Sequence, residues 1–526
     1  MVIVSLVPEI AVNEIGSYAG GLGILEGDKF LGASKLKLDY IVISFFYRKG
    51  YINYRIHKIL GLKPRLAAVF YDKPREILEK LRKEQDLYVN VKNKQVCVTP
   101  WVYEKSTAKL ILLEVSKPRW FRRAIDKLYI EKSESEKIYK WILFAKAAAK
   151  YIKERIGLDK VDVIDIQEAY AALIIFALPE YRNFRLITHT PGPWGHPRIS
   201  AKIVRSEFAL DIKVEENSIT KLALERVAKA FAVSKKHYET CIKKLFPEFA
   251  SKFSYVTNGV SEDRWRHNKI KELISNKKSY ENISPEDLWR THLEIKNELM
   301  HLITKYYKPR LEIDSSVPII VWCRRLTKYK RPYFVIKFIE EIGRDLNVLF
   351  VVGGRSHPAD ADGLRYAKKF LELTQKYDNV VFIHDYDIQK AQLILSGGDI
   401  HLFTPFPGWE ACGTSYMKAA VNGVPTLSSK DGGAVEMIVD GLNGWFFGLN
   451  IDEFIDISDD SKAKEIDKVE FDEFSSKLLK IIKTYGTYEY KLTSLNALRT
   501  SSIYSIERVL NEYYGEYIMK NKFNRS

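Results

Sequence analysis

The sequence predicts an α/β protein built from two doubly wound parallel sheets, and three observations carry that reading. Short runs rich in β-branched residues recur in both halves of the chain. Each run is followed by a helix-compatible stretch, and one polar segment without such runs separates the two series. Strands buried on both faces read as continuous apolar runs instead of alternating ones, so the pattern points to parallel sheets covered by helices. A chain of 526 residues with 46% hydrophobic content is long enough for more than one core.

The first series comprises YIVISFFY, KLILLEV, VDVIDI, RLITHT and AFAVS. From residue 266 to 316 the sequence turns polar and helical, ending in KPRLEIDSS, which makes this stretch the expected connection between domains. The second series is VPIIVWCRR, NVLFVVGG, NVVFIHDY, DIHLFTPF and VPTLSS. Past residue 450 strands cease, and EFSSKLLKIIKTYG through SSIYSIERVLNEYYGEYI is helical, with apolar residues at three and four spacing. The expected division is therefore a first Rossmann-like domain over 1–300, a second over 301–480, and terminal helices over 481–526 that pack back on the first. Two such sheets facing each other form a cleft, with ligands at the carboxyl ends of the strands.

The net charge of +16, from 83 Lys and Arg against 67 Asp and Glu, favours anionic partners such as phosphates. The two signs are interleaved, as in EILEKLRKEQD, so solvated helix faces are expected and no nucleic-acid strip. Cys97, Cys241, Cys323 and Cys412 are scattered without a C-x-x-C pair, so neither a disulfide framework nor a metal site is expected. No apolar run is long enough to span a membrane, and the first residues lack a basic start and a cleavage site, so a cytoplasmic protein is expected. Abundant Lys, Glu, Ile and Tyr with few Met and Cys suit a thermophile.

Four segments could carry chemistry. YAGGLGILEGDKF places Gly20, Gly21 and Gly23 ahead of a helix, where bare backbone amides can approach an anion. RLITHTPGPWGHP ends a strand at His189, followed by stiffening prolines, and a histidine there can grip a sugar hydroxyl or serve the fold. VWCRRLTKYKRP ends a strand in Arg324 and Arg325, and the next turn adds Lys328, Lys330 and Arg331, a cation density that suits phosphate. In GWEACGTSYMKAAVNGVP, Glu410 precedes a Gly413-Thr414 turn, and Lys418 falls in an apolar helix. A lysine so placed either snorkels to solvent or is easily made nucleophilic towards an aldehyde cofactor.

Together these segments, with DVIDIQEAYAAL, YVTNGVSEDRW, VGGRSHPAD and HDYDIQKAQ, resemble in order the α-glucan phosphorylase family (glycogen, starch and maltodextrin phosphorylases), from about residue 14 to 448. The resemblance implies a GT-B glycosyltransferase with the glucan acceptor on the first domain and cofactor and phosphate on the second. It implies pyridoxal 5′-phosphate on Lys418, with Gly413, Thr414 and Arg324 about the cofactor. Glu410 and His189 would hold the glucosyl unit, and Arg325 and Lys330 the substrate phosphate. Gly20, Gly21, Gly23, Asn258, Gly353 and Gly354 fall in the substrate and phosphate blocks. The partners implied are an α-glucan or maltodextrin and inorganic phosphate, with a homo-oligomer possible. Phe231 stands where the family has a sugar-contacting asparagine, and Tyr170 where it often has a histidine. The chain is shorter than long-form phosphorylases, so their effector segments are expected to be absent.

Two rival readings are kept. A sugar-nucleotide-dependent glycogen or starch synthase shares the architecture, but many such enzymes carry a second acid eight residues after the first, where this chain has Lys418. An inactive glucan-binding or nucleic-acid-binding protein would be free to lose Glu410, Lys330 or Lys418, and all three are present.

Overall fold

In the computed structural model, residues 2–523 are described apart from 13–14, 16, 58–60, 68–73, 213–215, 308–313, 452–454 and 458–459. The KPRLEI part of the expected connection thus lies outside the described residues. The chain is mixed α/β with parallel sheets. It divides into two units: Met1–Tyr51, Leu66–Asn258 and Ile506–Ser526 form one, and Ile52–Arg65 with Gly259–Ser505 the other.

The first unit carries parallel strands β1 (Val2–Leu6), β2 (Tyr40–Phe45), β3 (Ala108–Lys117), β4 (Val161–Gln167), β5 (Phe184–Ile187), β6 (Lys229–Ala232) and β7 (Phe253–Tyr255). Their order across the sheet is β7-β6-β5-β4-β1-β2-β3, with the direction of winding reversing between β1 and β4. The central strand β1 was not among the expected runs, although VIVSL is as apolar and as buried as the others. At β3 the sheet turns antiparallel, through Lys94–Lys105 and then Leu87–Val91. The expectation of a purely parallel sheet is corrected there: LYVNV alternates buried and exposed residues, the signature of an antiparallel strand with one wet face. Helix α1 (Gly21–Lys35) follows the glycine loop.

The second unit contains α2 (Pro285–Tyr307), β8 (Ile319–Cys323), α3 (Pro332–Glu341), β9 (Leu349–Gly353), α4 (Ala361–Lys376), β10 (Val380–Ile383), β11 (Ile400–Phe403), α5 (Ser415–Ala420), β12 (Thr426–Ser429), β13 (Trp445–Phe447), α6 (Asp460–Thr484) and α7 (Tyr488–Arg499). All its strands are parallel, in the doubly wound order β10-β9-β8-β11-β12-β13. Strand β13 is a further addition to the expected runs. The last helix, α8 (Ile506–Phe523), belongs to the first unit and packs so closely on α1 that a Cβ at Gly32 would lie 2.7 Å from Ile506.

Helix α2 joins the second unit because Leu299 and Ile303 pack into one core with Ile319, Val321 and Leu349. A buried polar pin fixes it there. Asp399, at the start of β11, sits 2.7 Å from Lys296 Nζ and 2.8 Å from His292 Nε2, and it accepts from the Ile319 amide. Tyr485 adds a hydroxyl to the same carboxylate. Burial opposes the ionised Asp399 carboxyl, but Lys296 and His292 outweigh it and hold its pKa below the ordinary aspartate range. The stabilising share is therefore present at neutral pH and is lost as pH falls below about 3.9. Asp399→Ala leaves Lys296 buried without its counter-ion, a change that costs about 3–5 kcal/mol. The expected drop in melting temperature is on the order of 10 °C. Thermal melts followed by circular dichroism at pH 7 check it.

Candidate active site

In the second unit the strand order reverses between β8 and β11, the position at which doubly wound sheets bind ligands beyond their carboxyl ends. Arg324 and Arg325 leave β8 there, and Glu410 follows β11. Arg324 Nη2 donates to Glu410 Oε2 at 2.6 Å, and Lys330 Nζ donates to the same oxygen at 2.8 Å. The Arg324 guanidinium lies over Phe403, 3.9 Å from the ring centre. Asp431 fixes the Glu410 loop by accepting from the amides of Gly408 and Glu410. Burial would raise the Glu410 carboxyl, but Lys330 and Arg324 outweigh it and hold its pKa at about 2. This acid is therefore an anion at every physiological pH. Arg325 does not join the cluster: it is exposed, with its guanidinium 3.5 Å from the Tyr329 hydroxyl.

Gly353 and Gly354 end β9 against this loop. The Gly353 carbonyl accepts from the Arg324 amide at 3.0 Å, and a Cβ on Gly354 would stand 1.9 Å from the Arg324 carbonyl oxygen. Their place in the structure is thus to let β9 support the loop that carries Arg324.

Gly413 is equally constrained, since a Cβ there would meet the Phe403 ring at 2.5 Å and Arg324 Nη2 at 3.1 Å. The turn continues through buried Thr414 into α5, which places Lys418 among Met417, Ala419 and Ala420. Lys418 is 7% exposed, and its Nζ lies 4.2 Å from the centre of the Trp265 ring. Ser415, one helical turn before Lys418, shares its face. Among the described residues, Ser415 Oγ, Arg324 Nη1 and His401 Nε2 are buried without a hydrogen-bond partner. Burial, with Arg324 and Lys418 nearby, lowers the His401 pKa to about 3, so that imidazole is neutral.

The first unit carries a second cluster at the carboxyl ends of β1, β4 and β5. Glu9, 4% exposed, accepts from the amides of Ala19 at 2.5 Å and Gly20 at 3.1 Å. The Gly20 amide is therefore committed to Glu9. Gly23 packs against Glu9 and Tyr18, whereas Gly21 is exposed with open space about it. His189 Nε2 lies 2.8 Å from Gln167 Oε1, and the Gln167 amide nitrogen donates to Ser5 Oγ. That orientation makes Oε1 the acceptor, so His189 carries its proton on Nε2 and presents Nδ1 as an acceptor. Burial, Lys29 and His237 push the His189 pKa well below its ordinary value.

Glu168 organises the same loop. Its backbone is left-handed (φ +69°), a conformation that a non-glycine residue adopts only under constraint. Its Oε1 accepts from the His189 amide at 2.6 Å and from Thr190 Oγ1 at 2.9 Å. Burial outweighs these bonds and raises the carboxyl to about 7. The folded state thus favours the acid form, and stability falls as pH rises from the ordinary glutamate value to about 7, by on the order of 3 kcal/mol. Glu168→Gln should remove that slope. Melting temperatures of both proteins from pH 5 to 8 check it, and superimposable profiles would contradict the assignment.

Asn258 is buried, and its carbonyl accepts from Arg508 of α8 at 3.0 Å. Phe231 packs in one cluster with Arg185 and Tyr513, 5.4 and 5.2 Å from its ring centre. Tyr170 packs against Trp141, with ring centres 5.1 Å apart and the planes inclined by 37°. Sequence reasoning passed over Glu9, Gln167, Glu168, Trp265, His401 and Ser415. The available signals were a lone polar residue in an apolar strand, for His401, and charged or amide residues directly after β1 and β4. Among the described residues no helix is long and apolar enough to cross a membrane, and no group of three His, Cys, Asp or Glu could hold a metal ion.

The chain is 28% identical to a glycogen phosphorylase of Aquifex aeolicus, over 85% of this chain and 76% of that one. It is 28% identical to a maltodextrin phosphorylase of Thermococcus litoralis, over 96% of this chain and 68% of the relative. Residues 206–521, which include Arg324, Lys330, Glu410 and Lys418, match the model of the carbohydrate phosphorylases, and the chain belongs to that family.

Proposed function

We propose that this protein is an α-1,4-glucan phosphorylase, transferring a glucosyl unit with retained configuration between a glucan non-reducing end and inorganic phosphate to give glucose 1-phosphate. The observation that carries the reading is the convergence of Arg324 and Lys330 on Glu410, with a buried lysine on the next helix. The names of the glycogen and maltodextrin phosphorylases among its relatives support it, and the sugar-nucleotide alternative finds no support there.

The residues fit pyridoxal phosphate. The unpartnered Ser415 Oγ and Arg324 Nη1 are donors beside the Gly413-Thr414 turn, as a phosphate requires, and Lys418 is buried with its amine 4.2 Å from the centre of the Trp265 ring, as an aldehyde-binding lysine requires. Lys418 would hold the aldehyde end, and Gly413, Thr414, Ser415 and Arg324 the phosphate. When bound, the cofactor supplies a phosphate group able to exchange a proton with the substrate phosphate.

The protein's own groups do the remaining work. Glu410, held ionised, accepts from glucosyl hydroxyls, and His189 offers Nδ1 to another. Lys330, with Arg325 and the Gly21 amide, holds the substrate phosphate and stabilises the charge that develops as the glycosidic bond breaks. The glucan acceptor is assigned to the first unit, and the cofactor and phosphate to the second.

Incubation with maltodextrin and inorganic phosphate should release glucose 1-phosphate, measured by a coupled dehydrogenase assay. Glucan extension from a sugar nucleotide, with no phosphate-dependent release, would overturn the proposal.

A further inference from the structure

Four polar side chains of the first unit lie on one diagonal across its sheet. In register, Ile187 of β5 faces Gln167 of β4, Asp165 of β4 faces Ser5 of β1, and Ile3 of β1 faces Tyr40 of β2. Side chains two residues apart share a face, so His189, two residues beyond Ile187, continues a line through Gln167 and Ser5 to Tyr40. Helix α1 brings Glu26 and Lys29 to the far end of that line. Ser5, Gln167, Tyr40, Glu26 and Lys29 are each at most 2% exposed.

The contacts along this line have one direction. Lys29 Nζ donates to Glu26 Oε2 at 3.1 Å, and an ammonium has no acceptor, so Glu26 accepts there. The Tyr40 hydroxyl donates to Glu26 Oε1 at 2.6 Å. Burial and the Glu26 charge raise the Tyr40 pKa well above its ordinary value, so the proton stays on the phenol. The Tyr40 oxygen is left as an acceptor, and the Ser5 hydroxyl bears on it as a donor. With its one proton so used, Ser5 accepts from Gln167 Nε2 at 3.2 Å. Gln167 therefore turns Oε1 to His189, 2.8 Å from Nε2. An amide turned the other way would need the Ser5 proton for its own oxygen and would leave the buried Tyr40 oxygen without a donor.

We propose that Tyr40, Ser5 and Gln167 are positioning residues that carry the polarity of the Glu26–Lys29 pair to His189 and so fix its tautomer, with the proton on Nε2 and Nδ1 left as an acceptor. A carboxylate at the strand β2, three strands from β5, thereby decides which ring nitrogen receives a substrate hydroxyl. The consequence for glucosyl transfer rests on the phosphorylase reading, whereas the setting of the ring does not.

The test is ¹⁵N NMR of the full chain labelled at the histidine ring nitrogens, with His189 identified as the pair of signals lost in His189→Gln. In the wild type at pH 7 that pair should be those of a neutral imidazole protonated on Nε2 alone. Tyr40→Phe removes the acceptor for Ser5, and Ser5→Ala removes the next link with Tyr40 left in place, so either variant serves if the other fails to fold. In both, the Gln167 amide is released to turn, and His189 should populate both tautomers, with the shifts of its two nitrogens converging. For maltodextrin phosphorolysis, kcat/KM should fall at least about fivefold, with the KM for phosphate unchanged. A wild-type ring protonated on Nδ1, or ring shifts unaltered in the folded variants, would overturn the proposal. Converging shifts with unaltered phosphorolysis would support it and contradict the part given to His189 in the transfer.

Discussion

Lys330→Ala should abolish phosphate-dependent release of glucose 1-phosphate from maltodextrin, lowering turnover by at least about 10²-fold. The Lys330 backbone is fixed on both sides, by Thr327 at the amide and Thr404 at the carbonyl, so the amine is delivered to Glu410 with little freedom. In the proposed reaction two phosphate groups of charge about −1.5 to −2 approach to about 5 Å. At an effective dielectric near 20 they repel by on the order of 7–13 kcal/mol. One cation does not offset that, and loss of one from a cooperating set is correspondingly severe. Fold and stability should survive, because Arg324 still pairs with Glu410 at 2.6 Å. Lys330→Arg should restore little, since a planar fork does not reproduce a point charge. The measurement is initial rate at saturating phosphate beside a thermal melt. Unchanged turnover would remove Lys330 from the mechanism.

Lys418→Met should eliminate activity and leave stability unchanged or raised. Methionine fills the space of the lysine stem while removing the charged amine of a residue that is 7% exposed. A purely structural lysine, held by its contact with Trp265, predicts the reverse: lower stability and retained turnover. Melting temperature and rate measured on the same preparation separate the two.

How far the sequence reached is clearest from the strands and the loops that follow them. Strands such as Ile319–Cys323 were legible because burial on both faces demands an unbroken apolar run, and that demand is local. The antiparallel edge of the first sheet follows another rule, alternation, and was overlooked by a reading tuned to continuous runs. At the site, Lys418 and Glu410 stood out because each conflicts with its immediate surroundings. Which of the adjacent Arg324 and Arg325 turns inward was not legible, since that depends on Glu410 and Phe403, far along the chain. The commitment of the Gly20 amide was hidden for the same reason: it is set by Glu9, whose carboxylate folds back across the glycine loop. Glu168 illustrates the limit best, because its left-handed backbone and raised carboxyl arise from packing that no neighbouring residue announces.

The central claim is that Lys418 carries the cofactor, and it is tested most directly by near-ultraviolet absorbance of the purified, folded protein before and after borohydride reduction, followed by peptide mass analysis. The account predicts a pyridoxyl group fixed to the peptide containing Lys418. Folded protein that has been supplied with pyridoxal phosphate and yields no such adduct would contradict it.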